Sequence, residues 1–488
     1  MKMSFCFIRN LSIYLLSIPI FIFFIFWLNP ILSIIGSLLL LYSIFKLTKE
    51  DNNIDEKIYI KKYLIIILLI LSFGWAYSSG IGGLYWQFNP DWNFRNAMMR
   101  DLTQYPWPVI YNNGSALTYY FGFMLFPALI GKTANIWFGM HSFTIANYFA
   151  LFFSGLCLFI LAIQIGNILK IKNQEYFYTF LIFILFSGLD FFINGPDIDW
   201  HPPFSYYSNV SFMDMSYHIV IPIWLSMALF IQNYKNIKFY GLITLFFLFY
   251  CPQTLLAVIP FMIYFLTKKI YESIKSKNIL NFSKETFCIE NIFTIIFIAP
   301  VFYLYFKSNY SAGNYYFYLN KLDLFSLKCI IFEVCFYLFI LFFEFYKDKI
   351  FWMLSISLIL YPFIAYKTDY DLFLRTSIPL LFVLYIYTIK LLFQTKNRYI
   401  LKSLMVVIFL MGSYIPLFIN KAAIVFFYYY PDFRVKDAIV SFEQKIQKVN
   451  FQSDSVFDYK NYVSFDLDEQ IFWKYIANKK GRKEGLNR

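Results

Sequence analysis

Residues 89–102, "NPDWNFRNAMMRDL", gather two carboxylates (Asp91, Asp101), two arginines (Arg95, Arg100) and Trp92 in an otherwise apolar stretch of chain. A carboxylate at a membrane surface is suited to take the proton of an attacking hydroxyl, worth about 10²–10⁴-fold when well placed. A guanidinium binds phosphate through paired N–H donors and stabilises developing negative charge. Asp91 is the candidate base, with Arg95 and Asp101 as candidate substrate contacts. Trp86, Trp92, Trp107, Tyr111 and Trp137 form an aromatic set able to stack on sugar rings.

A second dense region, "DIDWHPPFSYYSNVSFMDMSYH" (197–218), carries Asp199, His201, Asp214 and His218. These four could converge on a divalent metal, although their spacing matches no ligand motif and loop carboxylates are usually solvated. Asp199, His201 and His218 are also candidate substrate contacts. His218 opens an apolar run, where an ionisable residue is a functional suspect by default. Arg375 opens another, in "DLFLRTSIP" (371–379), with Asp371 one turn before it and Pro379 one turn after. That pattern suits a cavity mouth with Arg375 on a phosphate.

Each residue also has a plainer reading. Asp91 stands where a helix N-cap would satisfy free amides. Asp101 can pair with Arg100 or with an arginine across the loop, worth under about 1 kcal/mol if exposed. Arg95, Arg100 and Arg375 can snorkel to lipid phosphates. Tryptophans and tyrosines commonly form an interfacial belt.

The elements that must position these groups are membrane helices. The 488 residues are 60% hydrophobic, 24% aromatic and only 15% charged, against about a quarter charged in a soluble globule. The net charge of +13 resides in short basic clusters between apolar runs, the pattern of cytoplasmic loops on anionic lipid rather than of a nucleic-acid face. Six cysteines show no CxxC or metal-ligand spacing and read as small hydrophobes in helices. The basic start followed by a long apolar run reads as a retained first span.

Spans of about 20 apolar residues are expected at 11–28, 30–47, 63–80, 143–166, 176–193, 217–233, 239–251, 253–267, 291–307, 328–346, 350–366, 375–394 and 403–420. The pair around Cys251-Pro252-Gln253 reads as a hairpin of short helices. The basic loops 46–62, 169–175, 233–238, 268–284, 347–349 and 394–402 are expected on the cytoplasmic side. The stretch "YYFGFMLFPALIGK" (119–132) then lies at the outer interface, because a crossing there would invert every later loop. The expected fold is an all-α integral membrane protein of about 13 transmembrane helices. Its N-terminal hairpin and cytoplasmic loop occupy 1–62 and its core 63–420, with outward loops 81–142, 194–216, 308–327 and 367–374. A tail or small cap fills 421–488. The expected location is a bacterial inner membrane, with the polar residues facing the periplasm.

The order of elements in the first long loop resembles that of the GT-C superfamily of polytopic glycosyltransferases. An acidic residue shortly after a span, "NFRNAMMRDL", the proline-aromatic "YPWPVIYNNG" and the tyrosine-rich "TYYFGFMLFPALIGK" follow one another. "FYGLITLFFLFYCPQTLLAVIPFMIYFLTKK" is similar to that superfamily's short-helix hairpin, and "DLFLRTSIP" to its late outward arginine segment. The resemblance spans roughly residues 63–394. It implies sugar transfer from a polyprenyl-phosphate donor to a glycan, lipid or protein acceptor, with membrane lipids as further partners. It also implies Asp91 as the acidic residue, Arg375 as a donor contact, and Trp107 and Tyr119 near substrate. Trp92 stands where the superfamily often has a second acid, and the basic residue often preceding the tyrosine-rich helix is absent.

The chemistry is consistent with this reading. A lipid-phosphate sugar carries its own leaving group, so the protein need only deprotonate the acceptor, hold the phosphate and exclude water. No cofactor is required, and a divalent metal remains an open expectation. A flippase for lipid-linked glycans would instead show charges at mid-span and internal symmetry. A glycan polymerase would place its large loop late in the chain. No phosphate-cradling glycine loop, nucleophile elbow or HExxH is present.

Overall fold

The computed structural model describes residues 2–50, 57–85, 87, 89, 91–189, 206–312, 317–319, 324–366, 371–429, 442 and 459–479. The long helices in chain order are α1 (Phe5–Trp27), α2 (Pro30–Glu50), α3 (Lys62–Ser78), α4 (Trp92–Gln104), α5 (Leu125–Phe138), α6 (Ser142–Ile168), α7 (Glu175–Ile184), α8 (Asn209–Asn233), α9 (Tyr240–Tyr250), α10 (Pro252–Lys275), α11 (Ile279–Thr286), α12 (Ile289–Lys307), α13 (324–345), α14 (Lys349–Leu360), α15 (Asp371–Ile389), α16 (Tyr399–Gly412) and α17 (Tyr414–Tyr429). Among the described residues, eight helical segments are long and apolar enough to cross a bilayer, and four shorter apolar helices accompany them. The chain is an all-α, multi-pass membrane protein.

Burial separates centre from periphery. The apolar window of α8 is 89% buried and that of α2 only 33%. α8 packs against α1, α6, α9, α15 and α17, whereas α2 turns Ile31, Ile34, Leu38 and Phe45 outward. Lipid tails are as apolar as these side chains, so helix association depends on close packing and on interhelical hydrogen bonds. Tyrosine hydroxyls supply several such bonds: Tyr250 donates to the Leu16 carbonyl and Tyr385 to the Thr179 carbonyl, each at 2.7 Å. Gln164 adds a bond to Ser12 Oγ at 2.6 Å. Gly131 lets α5 lie against α6, because a Cβ there would collide with the Ser142 carbonyl and Ala146.

Several boundaries differ from expectation. α1 begins at Phe5, where Ser4 caps it by accepting the Phe7 amide at 3.2 Å. α8 begins at Asn209, eight residues before the expected span, with Ser208 as its cap. Its first turns are polar, and hydropathy alone reads them as loop. Asn209 donates to the Phe183 carbonyl at 2.7 Å, so that polarity is satisfied inside the bundle. The backbone breaks at Ser216 (φ −154°, ψ 47°), just before the position where the apolar run starts. The expected pair of short helices is unequal: α9 has 11 residues but α10 runs 24, with Pro252 in its first turn. Proline is tolerated there because its missing N–H has no intrahelical role. The expected span 176–193 is helical only over Glu175–Ile184 among the described residues.

Among the described residues, three two-stranded antiparallel ribbons tie distant segments: β1 (Lys2–Ser4) with β2 (Lys57–Tyr59), β4 (Phe317–Leu319) with β5 (Ile364–Tyr366), and β3 (Ala116–Leu117) with β6 (Val463–Ser464). The last joins the tail to the first loop. The Asn29 amide donates to the Ile476 carbonyl and the Asn478 amide to the Trp27 carbonyl, each at 2.8 Å. Trp473 Nε1 donates to Ser308 Oγ at 3.1 Å. Residues 459–479 therefore knit together the end of α1, the first loop and the end of α12.

Candidate functional site

Asp91 sits at the N-terminus of α4 without capping it. Its backbone is already helical (φ −58°, ψ −21°) and its side chain accepts no amide of the first turn. The carboxylate instead accepts from Arg95 Nη2 at 3.2 Å, one turn along the helix. The exposures of the two differ, 36% for Asp91 and 5% for Arg95. Arg95 points inward, and its Nε and Nη1 are buried without a hydrogen-bond partner among the described residues. Burying a guanidinium with unsatisfied donors is costly unless something else meets them.

Trp92, the next residue, fixes the start of α4 to the bundle. Its indole Nε1 donates to Asp214 Oδ1 at 2.9 Å, and its ring stacks on Tyr217 at 5.4 Å and 15°. Asn96 donates to Gln87 Oε1 at 2.6 Å, and Gln87 donates to the Gly80 carbonyl at 3.0 Å, which ties the helix to the end of α3. Asp214 lies within electrostatic reach of both Arg95 and Asp91.

His218 follows the break in α8 and is 1% exposed, with neither ring nitrogen hydrogen-bonded among the described residues. The charges of Arg95 and Arg375 both act on it. Arg375, near the start of α15 and 6% exposed, donates from Nη1 to Ser216 Oγ at 3.3 Å, at the break itself. Asp91, Arg95, Asp214, His218 and Arg375 thus converge from three helices distant in sequence. Arg95, with two donor nitrogens that meet no acceptor among the described residues, and Asp91 at the margin make a site for an anion beside a base.

Other sequence candidates stand elsewhere. Asp101 is fully buried and accepts from the Tyr111 hydroxyl at 2.8 Å and the Phe442 amide at 3.1 Å. It is an internal acceptor beneath the tail rather than a substrate contact or a surface partner of Arg100. Trp107 is buried against Phe26 and Trp27, with its Nε1 satisfied by the Leu102 carbonyl at 2.8 Å, so it is core and not rim. Tyr111 is buried as well. Tyr119 is covered by the tail: its ring lies 4.2 Å from that of Tyr462. Trp137 is exposed at the tip of α5, with Ile136 and Phe138 beside it. Asp199, His201 and Trp86 lie outside the described residues. Among the described residues no three His, Cys, Asp or Glu side chains come together as a metal site, so Asp214 and His218 do not make one there without a further ligand.

In sequence Asp214 reads as a metal candidate, and Trp92 as an aromatic able to stack on sugar and as the residue at the superfamily's second acidic position. Their 122-residue separation leaves no local signal for the bond between them. Lys132 carries no sequence signal, being a single lysine in an apolar stretch. It donates to the Tyr105 carbonyl and stands over the Trp107 ring at 5.0 Å, and burial pushes its ammonium down to about 8.

The fold and the site define a polytopic α-helical membrane protein with a buried cationic and carboxylate cluster at one end of its bundle. Comparison with known protein families, with curated proteins and with solved structures finds no match to the chain.

Proposed function

We propose that the chain is a membrane glycosyltransferase that moves a sugar from a polyprenyl-phosphate donor to a hydroxyl of a glycan, lipid or protein acceptor. The observation that carries this reading is Arg95: a buried guanidinium with two nitrogens lacking acceptors, beside a partly exposed carboxylate. Arg95 and Arg375, whose charges both act on His218, hold the donor phosphate. Asp91 takes the acceptor proton, the acceptor oxygen attacks the anomeric carbon, and the bond to the phosphate oxygen breaks with its electron pair on the phosphate. The two arginines stabilise that leaving charge.

We read the helix ends as falling into two groups, as alternating crossings require. The ends of α1, α9 and α12 meet the first loop or the tail through Trp27, Phe249 and Tyr305. At the other end, Lys46 of α2 pairs with Glu290 of α12 at 2.9 Å, Gln394 reaches the Leu169 carbonyl, and Arg398 pairs with Glu344 at 2.7 Å. With basic loops at that second end, the cluster faces the periplasm of a bacterial inner membrane, where sugar donors are lipid-borne. The test is glycolipid and glycan profiling of host membranes carrying wild-type protein, Asp91→Asn or neither. A sugar-bearing product present only with wild type, at equal expression of the variant, supports the reading. Equal product from Asp91→Asn removes Asp91 from the chemistry, and an undelivered cytoplasmic carrier without the protein points to a flippase.

A further inference from the structure

Asp91 has no cap bond to fix it, yet a base must be held within a fraction of an ångström of the atom it serves. The residue that anchors it is its neighbour. Trp92 is 4% exposed, and its ring and indole N–H both engage the first segment of α8, through Tyr217 and Asp214. That segment is itself bonded at both ends. Ser208 caps it at 3.1 Å, Asn209 binds the Phe183 carbonyl through its side chain and the Phe186 carbonyl through its amide, and Arg375 grips the break at Ser216. Two carboxylates therefore flank Arg95, but only Asp91 bonds to it; Asp214 is bonded to the indole.

We infer that Asp214 is a positioning residue: by accepting the Trp92 indole N–H it sets Asp91 and Arg95 against the arginine and histidine presented by α15 and α8. This assignment rests on the transferase reading for its kinetic consequence but not for its structural one. What Asp214 must provide is an acceptor oxygen, which asparagine also carries. Removing the acceptor releases the indole and lets the start of α4 pivot, and a misplacement of about 1 Å at a reacting group costs on the order of 10²-fold in rate.

The test uses the full chain in lipid vesicles, with Asp214→Asn, Asp214→Ala, Trp92→Phe and the Asp214→Ala/Trp92→Phe double variant. Two readouts are followed: kcat with a polyprenyl-phosphate sugar, and hydrogen exchange of residues 91–104. The expected result is near-wild-type behaviour for Asp214→Asn. Asp214→Ala, Trp92→Phe and the double variant should each lose roughly 100-fold in kcat, without adding, because one contact is removed in all three. Exchange should quicken in 91–104 in those three and not in Asp214→Asn, which also shows that the loss is local rather than a failure to fold. If Asp214→Asn is as impaired as Asp214→Ala, the charge is what matters and the positioning role is overturned. Multiplying losses in the double variant overturn it too. If wild type transfers no sugar, the transferase reading fails by itself, and exchange alone decides: unchanged exchange in Asp214→Ala and Trp92→Phe removes the inference.

Discussion

Asp91 and Arg95 form an ion pair at 3.2 Å across one turn of α4, with the carboxylate toward the outside and the guanidinium buried. The pair holds a charge at the edge of the bundle while leaving two nitrogens of Arg95 to meet an anion. On the proposed transferase reading, a neutral side chain at position 95 or 375 weakens donor binding before it changes chemistry. Arg95→Gln and Arg375→Gln should each raise the donor KM ten- to a hundredfold, the equivalent of about 1.5–3 kcal/mol for a charge-assisted hydrogen bond. Steady-state kinetics at varied donor concentration checks this, and an unchanged KM in both variants contradicts it.

Asp101 gives a different signature, because its partners are protein groups. Asp101→Ala leaves the Tyr111 hydroxyl and the Phe442 amide without their acceptor, at a cost of about 1–3 kcal/mol for each buried group. The thermal midpoint in detergent should fall, and Asp101→Asn should fall less since it keeps one acceptor oxygen. An unaltered midpoint in Asp101→Ala would place the carboxylate outside the packing described.

The tail is held to α4 by aromatic contact. Phe94 and Tyr462 lie 5.0 Å apart and 8° from parallel, and Tyr462 also meets Tyr119 and Phe442. Tyr462 is half-buried, so Tyr462→Ala should destabilise by about 1–3 kcal/mol, below the range for a fully buried aromatic. Phe94→Ala in the same chain should add less than its own single cost, since both delete the Phe94–Tyr462 contact, and the remainder reports the contact of Phe94 with Tyr459 at 4.8 Å. Limited proteolysis would report the release of residues 459–479 in both variants; intact tails in both would refute the docking.

Lys132 carries a pH dependence of fixed sign. Burial pushes its ammonium from 10.5 down to about 8, so the folded protein sheds this proton while the unfolded chain still holds it. Between about pH 8 and 10.5 the unfolded state binds more protons, and this group's contribution to stability rises with pH across that window and is flat below it. Lys132→Met keeps the stem over Trp107 and removes the titration. The midpoint of wild type relative to Lys132→Met should climb from pH 8 to 10. Parallel pH profiles contradict the assignment.

The all-α membrane class is legible in sequence because a bilayer demands long apolar runs, and eight such helices stand among the described residues where thirteen spans are expected. α8 was misjudged by eight residues at its start because Asn209, Ser211 and Asp214 look like loop until their partners are known. Those partners are the Phe183 carbonyl, Ser208 and Trp92. Trp107 looked like a surface aromatic because nothing local reveals that the Leu102 carbonyl takes its N–H. The tail's place on the first loop rests on a two-residue ribbon and on side-chain bonds such as Ser464 to Thr118, 346 residues apart. No periodicity encodes contacts that sparse and that distant.

The most direct test is donor turnover by purified protein in vesicles. Wild type and Asp91→Asn would be supplied with a fluorescent polyprenyl-phosphate sugar and an acceptor extract from host membranes, and release of polyprenyl phosphate would be followed. Release by wild type, reduced about 10²–10⁴-fold in an Asp91→Asn variant that binds donor normally, is the predicted result. Equal release from both, or none from wild type, contradicts it.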